Sequence, residues 1–180
     1  TIVEMLNEEV KRGRIRWFGG SNWTAERLEQ GNLYAKEHGL QGFVASQPRW
    51  SLLAYEPQSR EKRLEPGVLL HVNGDDRANH ERTQLPVIPY GPTGNGFFAM
   101  GGEKPERWRN EENVARAKRA RQLAGELGVT PNQVALAWLR AQPFPVIPIL
   151  GTADLDHLDD ALGCVHIQLT DKQRDWLERG

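Results

Sequence analysis

Four short apolar runs, Ile15 to Phe18, Gly42 to Ala45, Pro86 to Pro89 and Pro145 to Leu150, alternate along the chain with stretches of helical periodicity. No other feature restricts the possible folds as much. Runs of four to six residues bounded by Gly, Pro or polar turns read as strands buried on both faces, the condition of a parallel sheet. Parallel neighbours cannot be joined by a hairpin; they need a crossover of a dozen or more residues, and the helical stretches supply one each time. The chain is therefore expected to be α/β, a parallel β/α array, forming a single domain over residues 1–180 with no internal repeat.

The helices carry their own punctuation. Thr24 caps a helix that runs to His38 and stops at Gly39, and Asp75 to Thr83 is a polar helix. Asn110 to Leu127 is a third, ended by Gly128. "TPNQ" at Thr130 places a capping threonine, a first-turn proline and a returning glutamine in order, and "TDKQ" at Thr170 repeats the logic before the last helix. Val3, Leu6 and Val10 recur at helical spacing with no cap evident before them, so the chain reads as starting inside a helix. Ser51 to Asn73 has no period and scattered Pro and Gly. It is expected to be a long loop excursion, a length that is uncommon unless the loop has work to do.

Composition excludes several classes. Lys and Arg number 23 against 24 Asp and Glu, a net charge of −1 with both signs interspersed, so a nucleic-acid partner is not expected. No apolar run approaches the roughly 20 residues of a membrane span, and the start has no signal-peptide layout. A single cysteine, Cys164, excludes an internal disulfide and fits a reducing compartment, by default the cytoplasm. None of the five histidines shows metal spacing; solvated or capping roles are expected, with His157 the one to watch, and no metal site is expected.

The strand ends carry the polar groups that could do chemistry. After Ile15 to Phe18, Gly19 and Gly20 let the chain turn into Ser21 and Asn22, which are either ligand groups or turn residues that start the next helix. "YGPTGNG", Tyr90 to Gly96, is either an anion cradle or a plain loop needing positive φ, since it lacks both well-known phosphate-loop spacings. "ILGTADLDHL" offers a phosphate perch at a helix start or an ordinary acid-capped helix.

Taken in order, "GRIRWFGGSNW", "GFVASQPRWSLL", "LPVIPYGPTGNGFF", "GVTPNQVALAWLRAQP" and "VIPILGT" with "DHLDDALG" resemble the second half of an aldo-keto reductase. The resemblance covers nearly the whole chain. It implies the C-terminal half, strands five to eight, of a TIM (β/α)8 barrel that reduces carbonyls with NADPH. Carried over residue by residue, it implies that Ser21 and Asn22 hydrogen-bond the nicotinamide carboxamide and that Gln47 contacts the same group. It further implies that Tyr90 stacks on the nicotinamide, and that Gly91, Pro92, Thr93 and Asn95, in the loop to Gly96, cover the pyrophosphate. Gly151, Thr152, His157 and Asp160 fall around the adenosine and its 2'-phosphate.

Two departures accompany the resemblance. The cation that many members place on the 2'-phosphate has no counterpart at Gly151, Thr152 and Ala153, with Asp154 beside them, and the asparagine that holds the adenine is Ala161; NADP is the implied cofactor, with NAD possible. The family's catalytic aspartate, tyrosine, lysine and histidine come from the first four strands, so no catalytic residue is assigned to this chain. It is expected to supply the cofactor cradle of a reductase acting on a small-molecule carbonyl, and to be inactive alone. A full barrel takes about 250 residues, and half of one leaves two strand edges to cover, so self-association or a missing N-terminal half is expected. The alternative is a non-catalytic nucleotide-binding or assembly module of the same descent, the excursion covering an edge.

Overall fold

Regular parallel pairing falls at the carboxyl ends of the first two apolar runs. In the computed structural model, which describes residues 1–55 and 65–180, β1 (Gly20–Ser21) lies parallel to β2 (Ser46–Gln47), Gly20 against Ser46 and Ser21 against Gln47. Val44 N–H donates to Phe18 O at 3.0 Å and Gly20 N–H to Ala45 O at 3.0 Å, so the pairing begins inside the runs. The ladder itself is displaced onto the residues that follow them. The first run is not buried on both faces: Phe18 is in the core, but Trp17 is 67% exposed.

The third and fourth runs form no regular strand. Ser46 N–H donates to Pro86 O at 2.9 Å and Ile88 N–H to Ser46 O at 2.7 Å, a single parallel bridge between Ser46 and Val87. Ile149 N–H donates to Pro89 O at 2.9 Å. Both runs carry two prolines, Pro86 and Pro89 at the two ends of the third and Pro145 and Pro148 at the start and in the middle of the fourth. Proline has no N–H to donate, so a ladder through so short a run is interrupted at two positions. The parallel β/α order is thus present, with bridges where full strands were expected.

The helices follow their caps. They are α1 (Ile2–Lys11), α2 (Ala25–Glu37), α3 (Gly74–Thr83), α4 (Glu111–Leu127), α5 (Pro131–Arg140), α6 (Leu155–Leu162) and α7 (Asp171–Arg179). Thr24, Asn110, Thr130 and Thr170 each accept from the backbone three residues on, and Gly128 ends α4 at φ 69°. The expectation that α1 lacks a cap is corrected: the Thr1 side chain accepts from Glu4 N–H, and Glu4 returns the bond. The same box, Asn73 with Asp76, starts α3 one residue before the expected position. No helix of the described residues is long and apolar enough to cross a membrane.

The described chain divides into two compact units, residues 1–49 with 65–88 and residues 50–55 with 89–180. Residues 56–64 of the expected excursion lie outside the described residues. In the first unit Val3, Phe18, Leu28, Ala35 and Phe43 form the core, with the Phe18 and Phe43 rings edge to face at 5.2 Å. In the second, every residue of α5 from Val134 to Leu139 is buried, and Trp50 meets Trp138 at 5.6 Å and stacks on Phe144 at 5.8 Å. Asn113, also buried, fastens residue 54 by accepting from Ala54 N–H at 2.6 Å and donating to Ala54 O at 3.0 Å.

One buried histidine is expected to make the first unit acid-sensitive. His80 on α3 is fully buried, its Nδ1 3.0 Å from Leu85 O, and burial holds it below the usual histidine range, against the smaller pull of Leu85 O and Asp76. As pH falls through roughly 6.5 the unfolded chain takes up the proton first, so stability must drop with acidification. Asp76, pushed up by burial, acts in the opposite sense. The melting temperature is expected to be flat from about pH 8 to 7 and to fall below about 6.5, and His80→Gln is expected to flatten that fall; an unchanged slope in the variant would assign the acid limb elsewhere.

Candidate functional site

Gly19 and Gly20 are needed for approach rather than for turning. A Cβ on Gly19 would lie 2.8 Å from Ala45 O, and one on Gly20 would run into the Leu28 side chain. Their absence of side chains lets β1 close on β2 and on α2. The turn expected of them is made instead by Asn22, whose φ is 57°.

The register of this pair brings three of the expected residues together. Ser21 is the in-register neighbour of Gln47, Asn22 follows directly, and Asn22 N–H donates to Gln47 O at 3.3 Å. Ser21 is exposed, and its hydroxyl donates to Gln47 O at 3.0 Å. A carbonyl can only accept, so the Ser21 proton is committed and its oxygen faces any further partner as an acceptor. Asn22 and Gln47 are half-buried and carry amides that can donate as well as accept. Beside them Ser46 is fully buried, its hydroxyl without a hydrogen-bond partner among the described residues.

What the sequence did not reveal is how these strand ends are held. The returning part of the excursion, residues 67–72, crosses both of them. Thr24 N–H donates to Gly67 O at 3.0 Å and Leu69 N–H to Asn22 O at 2.7 Å, an antiparallel bridge centred on Trp23 and Val68. Farther on, Val72 N–H donates to Arg49 O at 3.2 Å, and His71 bridges Arg49 in parallel. No periodicity marks this segment in the sequence, because it alternates partners every few residues.

In the second unit Tyr90 opens the glycine loop, and its carbonyl accepts from Trp50 N–H at 3.3 Å. Positive φ falls on Gly91, Gly94, Asn95 and Gly96, as a tight loop requires. Gly94 and Gly96 spend their N–H groups within it, on Gly91 O and Thr93 O, both at 3.1 Å. Pro92 is buried, Thr93 half-buried, and Asn95 exposed with its side-chain oxygen 2.7 Å from the Arg107 guanidinium. That arginine puts a cation beside the loop that sequence reading passed over.

Gly151, Thr152 and His157 lie together at the exposed start of α6, where the site turns acidic. Thr152 Oγ accepts from Asp154 N–H at 3.1 Å, and Asp154 in turn caps the helix, accepting from Asp156 N–H at 2.9 Å and His157 N–H at 3.1 Å. The bond from His157 N–H, the largest cause, holds Asp154 below the usual carboxylate range. The helix start therefore already holds an anion of its own. Asp160 is turned away: its two oxygens take the Thr130 hydroxyl at 2.7 Å and the Asn132 amide at 2.8 Å, and its carbonyl takes Gln133 at 2.8 Å. It fastens α6 to the first turn of α5. Among the described residues no group of three or more His, Cys, Asp or Glu is arranged to hold a metal ion.

The model of the aldo/keto reductase family matches residues 1–179. The chain belongs to that family. Norsolorinic acid reductase B of Aspergillus parasiticus is 28% identical over 98% of this chain and 46% of its own length. Versiconal hemiacetal acetate reductase of the same organism is 25% identical over 98% of this chain and 51% of its own length. An NADP(+) aldo-keto reductase of Schizosaccharomyces pombe is 25% identical over 94% of this chain and 49% of its own. The chain spans about half the length of the curated relatives it matches. Among solved structures it is similar to a thermostable aldo-keto reductase crystallised with the inhibitor epalrestat, at 20% identity and TM-score 0.68, over 98% of this chain and 52% of that one. It is also similar to the aldose reductase of Schistosoma japonicum, at 16% identity and TM-score 0.64, over 97% and 44%. These likenesses give the fold, that of aldo-keto reductases.

The geometry of Asp160 yields a direct test. Asp160→Asn removes the acceptor for either Thr130 or Asn132 and is expected to lower the unfolding free energy by about 1.5–3 kcal/mol, the scale of hydrogen bonds to a charged group. Urea titration measures it, and a loss below about 0.3 kcal/mol would show that the α5 anchor is dispensable.

Proposed function

We propose that this chain supplies the cofactor-binding half of an NAD(P)H-dependent aldo-keto reductase, the C-terminal half of its TIM barrel, which reduces a small-molecule carbonyl to an alcohol when complete. The observation that carries this is the register that sets Ser21 beside Gln47, with Asn22 next, at the carboxyl ends of parallel strands. A carboxamide presents one carbonyl and two N–H groups. Ser21 can accept from the N–H side, and the amides of Asn22 and Gln47 can serve the carbonyl, so the donor set fits the nicotinamide end. The cofactor, when bound, would supply the hydride. In the second unit Tyr90 would give the flat contact for the ring, and Gly91, Pro92, Thr93 and Asn95 would lie along the pyrophosphate.

The start of α6 does not fit a 2'-phosphate as well. Gly151 and Thr152 bring no cation, and Asp154 occupies the helix N–H groups with its own charge. NADP is the cofactor that family membership suggests, and NAD the one this acidic start tolerates equally. His157 would meet the adenosine side, and Asp160 would act by holding α6 in place. With the catalytic acid–base set assigned to the other half of the barrel, the chain alone is proposed to be inactive. It is placed in the cytoplasm, where Cys164 would stay reduced.

A second reading has its own observation. Ile147, Ile149, Leu155, Leu162 and Val165 are all exposed in the second unit, which suits an assembly module that covers them with a second copy or with another half-barrel. Titration with NADP+ and with NAD+, followed by tryptophan fluorescence, separates the two. The cofactor reading expects saturable binding, affinities for the two within about tenfold, and about tenfold weakening by Tyr90→Ala, the worth of one aromatic stack. No saturation at millimolar concentrations of either would leave the assembly reading. Turnover by the pure chain, lost on changing Tyr90, would overturn its inactivity. Sedimentation as a clean monomer would count against association.

A further inference from the structure

We propose that Asp76 is the positioning residue of the Ser21–Asn22 turn, acting through the first turn of α2 and the 67–72 segment; this rests on the cofactor reading of that turn. Asp76 is buried, fifty-one residues from Ala25 in sequence, and its Oδ1 accepts from Ala25 N–H at 2.8 Å. Ala25 is the first residue of α2, three positions after Asn22, and its N–H is one of the donors that a helix start cannot satisfy internally. Thr24 takes a second such donor, that of Arg27, at 3.3 Å. The start of α2 is thus capped by two side chains, one local and one from α3.

Asp76 cannot move freely, because it is also half of the capping box of α3. Its N–H donates to Asn73 Oδ1 at 2.9 Å and its Oδ2 accepts from Asn73 N–H at 3.5 Å. One carboxylate therefore ties the first turns of two helices together. The chain leading into α3 is residues 67–72, whose bonds to Asn22 O and Thr24 N–H flank Trp23. From Asn22 to Ala25, three backbone groups are held by the single stretch 67–76.

Asn22 needs that restraint. It sits at φ 57°, a conformation that a residue with a Cβ adopts at a cost, and such a conformation persists where the surroundings impose it. Here they do so on both sides: Gln47 O takes its N–H, and Leu69 N–H takes its carbonyl. Gly67 meets the same turn from the other direction. Its φ is 80°, and a Cβ there would press on Arg27 Cδ at 2.8 Å, while the Arg27 guanidinium lies 3.9 Å over the Trp23 ring. Asp76 fixes one end of the clamp and Gly67 the other, with the Asn22 side chain aimed as a consequence.

The test compares the full chain with Asp76→Ala, which removes both acceptors, Asp76→Asn, which keeps the one that Ala25 uses, and Asp75→Asn, an exposed control with the same charge change. Amide hydrogen exchange in the absence of cofactor is expected to speed up at least tenfold at Thr24, Ala25 and Leu69 in Asp76→Ala, less in Asp76→Asn and not in Asp75→Asn, with the centre of α2 unchanged. Affinity for NADP+ or NAD+ is expected to fall at least tenfold in Asp76→Ala, while affinity for ADP-ribose, which lacks the nicotinamide, stays the same. Should Asp76→Ala not fold, Gly67→Ala is expected to give both effects from the other end of the clamp. Unchanged exchange at Thr24 and Leu69, with only a lower melting temperature, would reduce Asp76 to a fastener between α2 and α3 and overturn the proposal. Faster exchange with dinucleotide affinity intact would overturn the link to the cofactor. If the wild-type chain binds neither dinucleotide, the cofactor reading falls, and the link to nicotinamide falls with it, while exchange still decides whether Asp76 sets the turn.

Discussion

Two residues without side chains let the first unit assemble. A Cβ on Gly19 would press on the Ala45 carbonyl and push β1 from β2, and one on Gly20 would force the fully buried Leu28 side chain to move. Once they close, the register follows, and with it the pairing of Ser21 with Gln47. A slip of one residue would turn every side chain to the opposite face, so the polar trio depends on packing two residues upstream of it. The close approach also leaves no freedom for the turn to be made at the glycines. It passes to Asn22, an amide side chain that tolerates the left-handed conformation better than most residues with a Cβ.

The helices were legible because their signals are local. A cap and its partner lie three residues apart, so "TPNQ" and "TDKQ" can be read without knowing what surrounds them. Thr1 with Glu4 carries the same three-residue signal at the start of α1. Strands have no such punctuation. Whether Ile15 to Phe18 becomes a ladder depends on N–H and C=O groups contributed by a partner twenty-six residues away, and the two prolines in each of the third and fourth runs withdraw donors that hydropathy does not register. The apolar runs therefore mark where pairing begins, and the ladder itself lies beyond them.

The candidate site divides along the same line. Ser21, Asn22, Gln47, Tyr90 and the glycine loop could be named from their order and resemblance, each lying just after an apolar run. The clamp that holds the first of them could not. Asp76 meets Ala25 across fifty-one positions, and in the sequence it is one of two adjacent aspartates at the start of a polar helix. Burial alone separates it from Asp75, and burial is a property of the fold. The 67–72 segment hides for a related reason: its partners change from Thr24 to Asn22 to Arg49 within six residues, which leaves no period to read.

Hydrogen-bond commitment, more than residue type, decides what a polar group at a strand end can still offer. Asp154 and Asp160 are carboxylates beside a helix start, the kind of residue a motif search collects, yet the first is engaged by Asp156 and His157 and the second by Thr130 and Asn132. Their charge is spent on the helices that carry them. Ser21 is a weaker group but a more available one. Its single proton goes to Gln47 O, so toward an incoming partner it is an acceptor of fixed sense. At α6, by contrast, an incoming phosphate would meet an anion already in place. A second anion at the start of α6 would therefore have to displace the Asp154 carboxylate from the Asp156 and His157 N–H groups before it could use them.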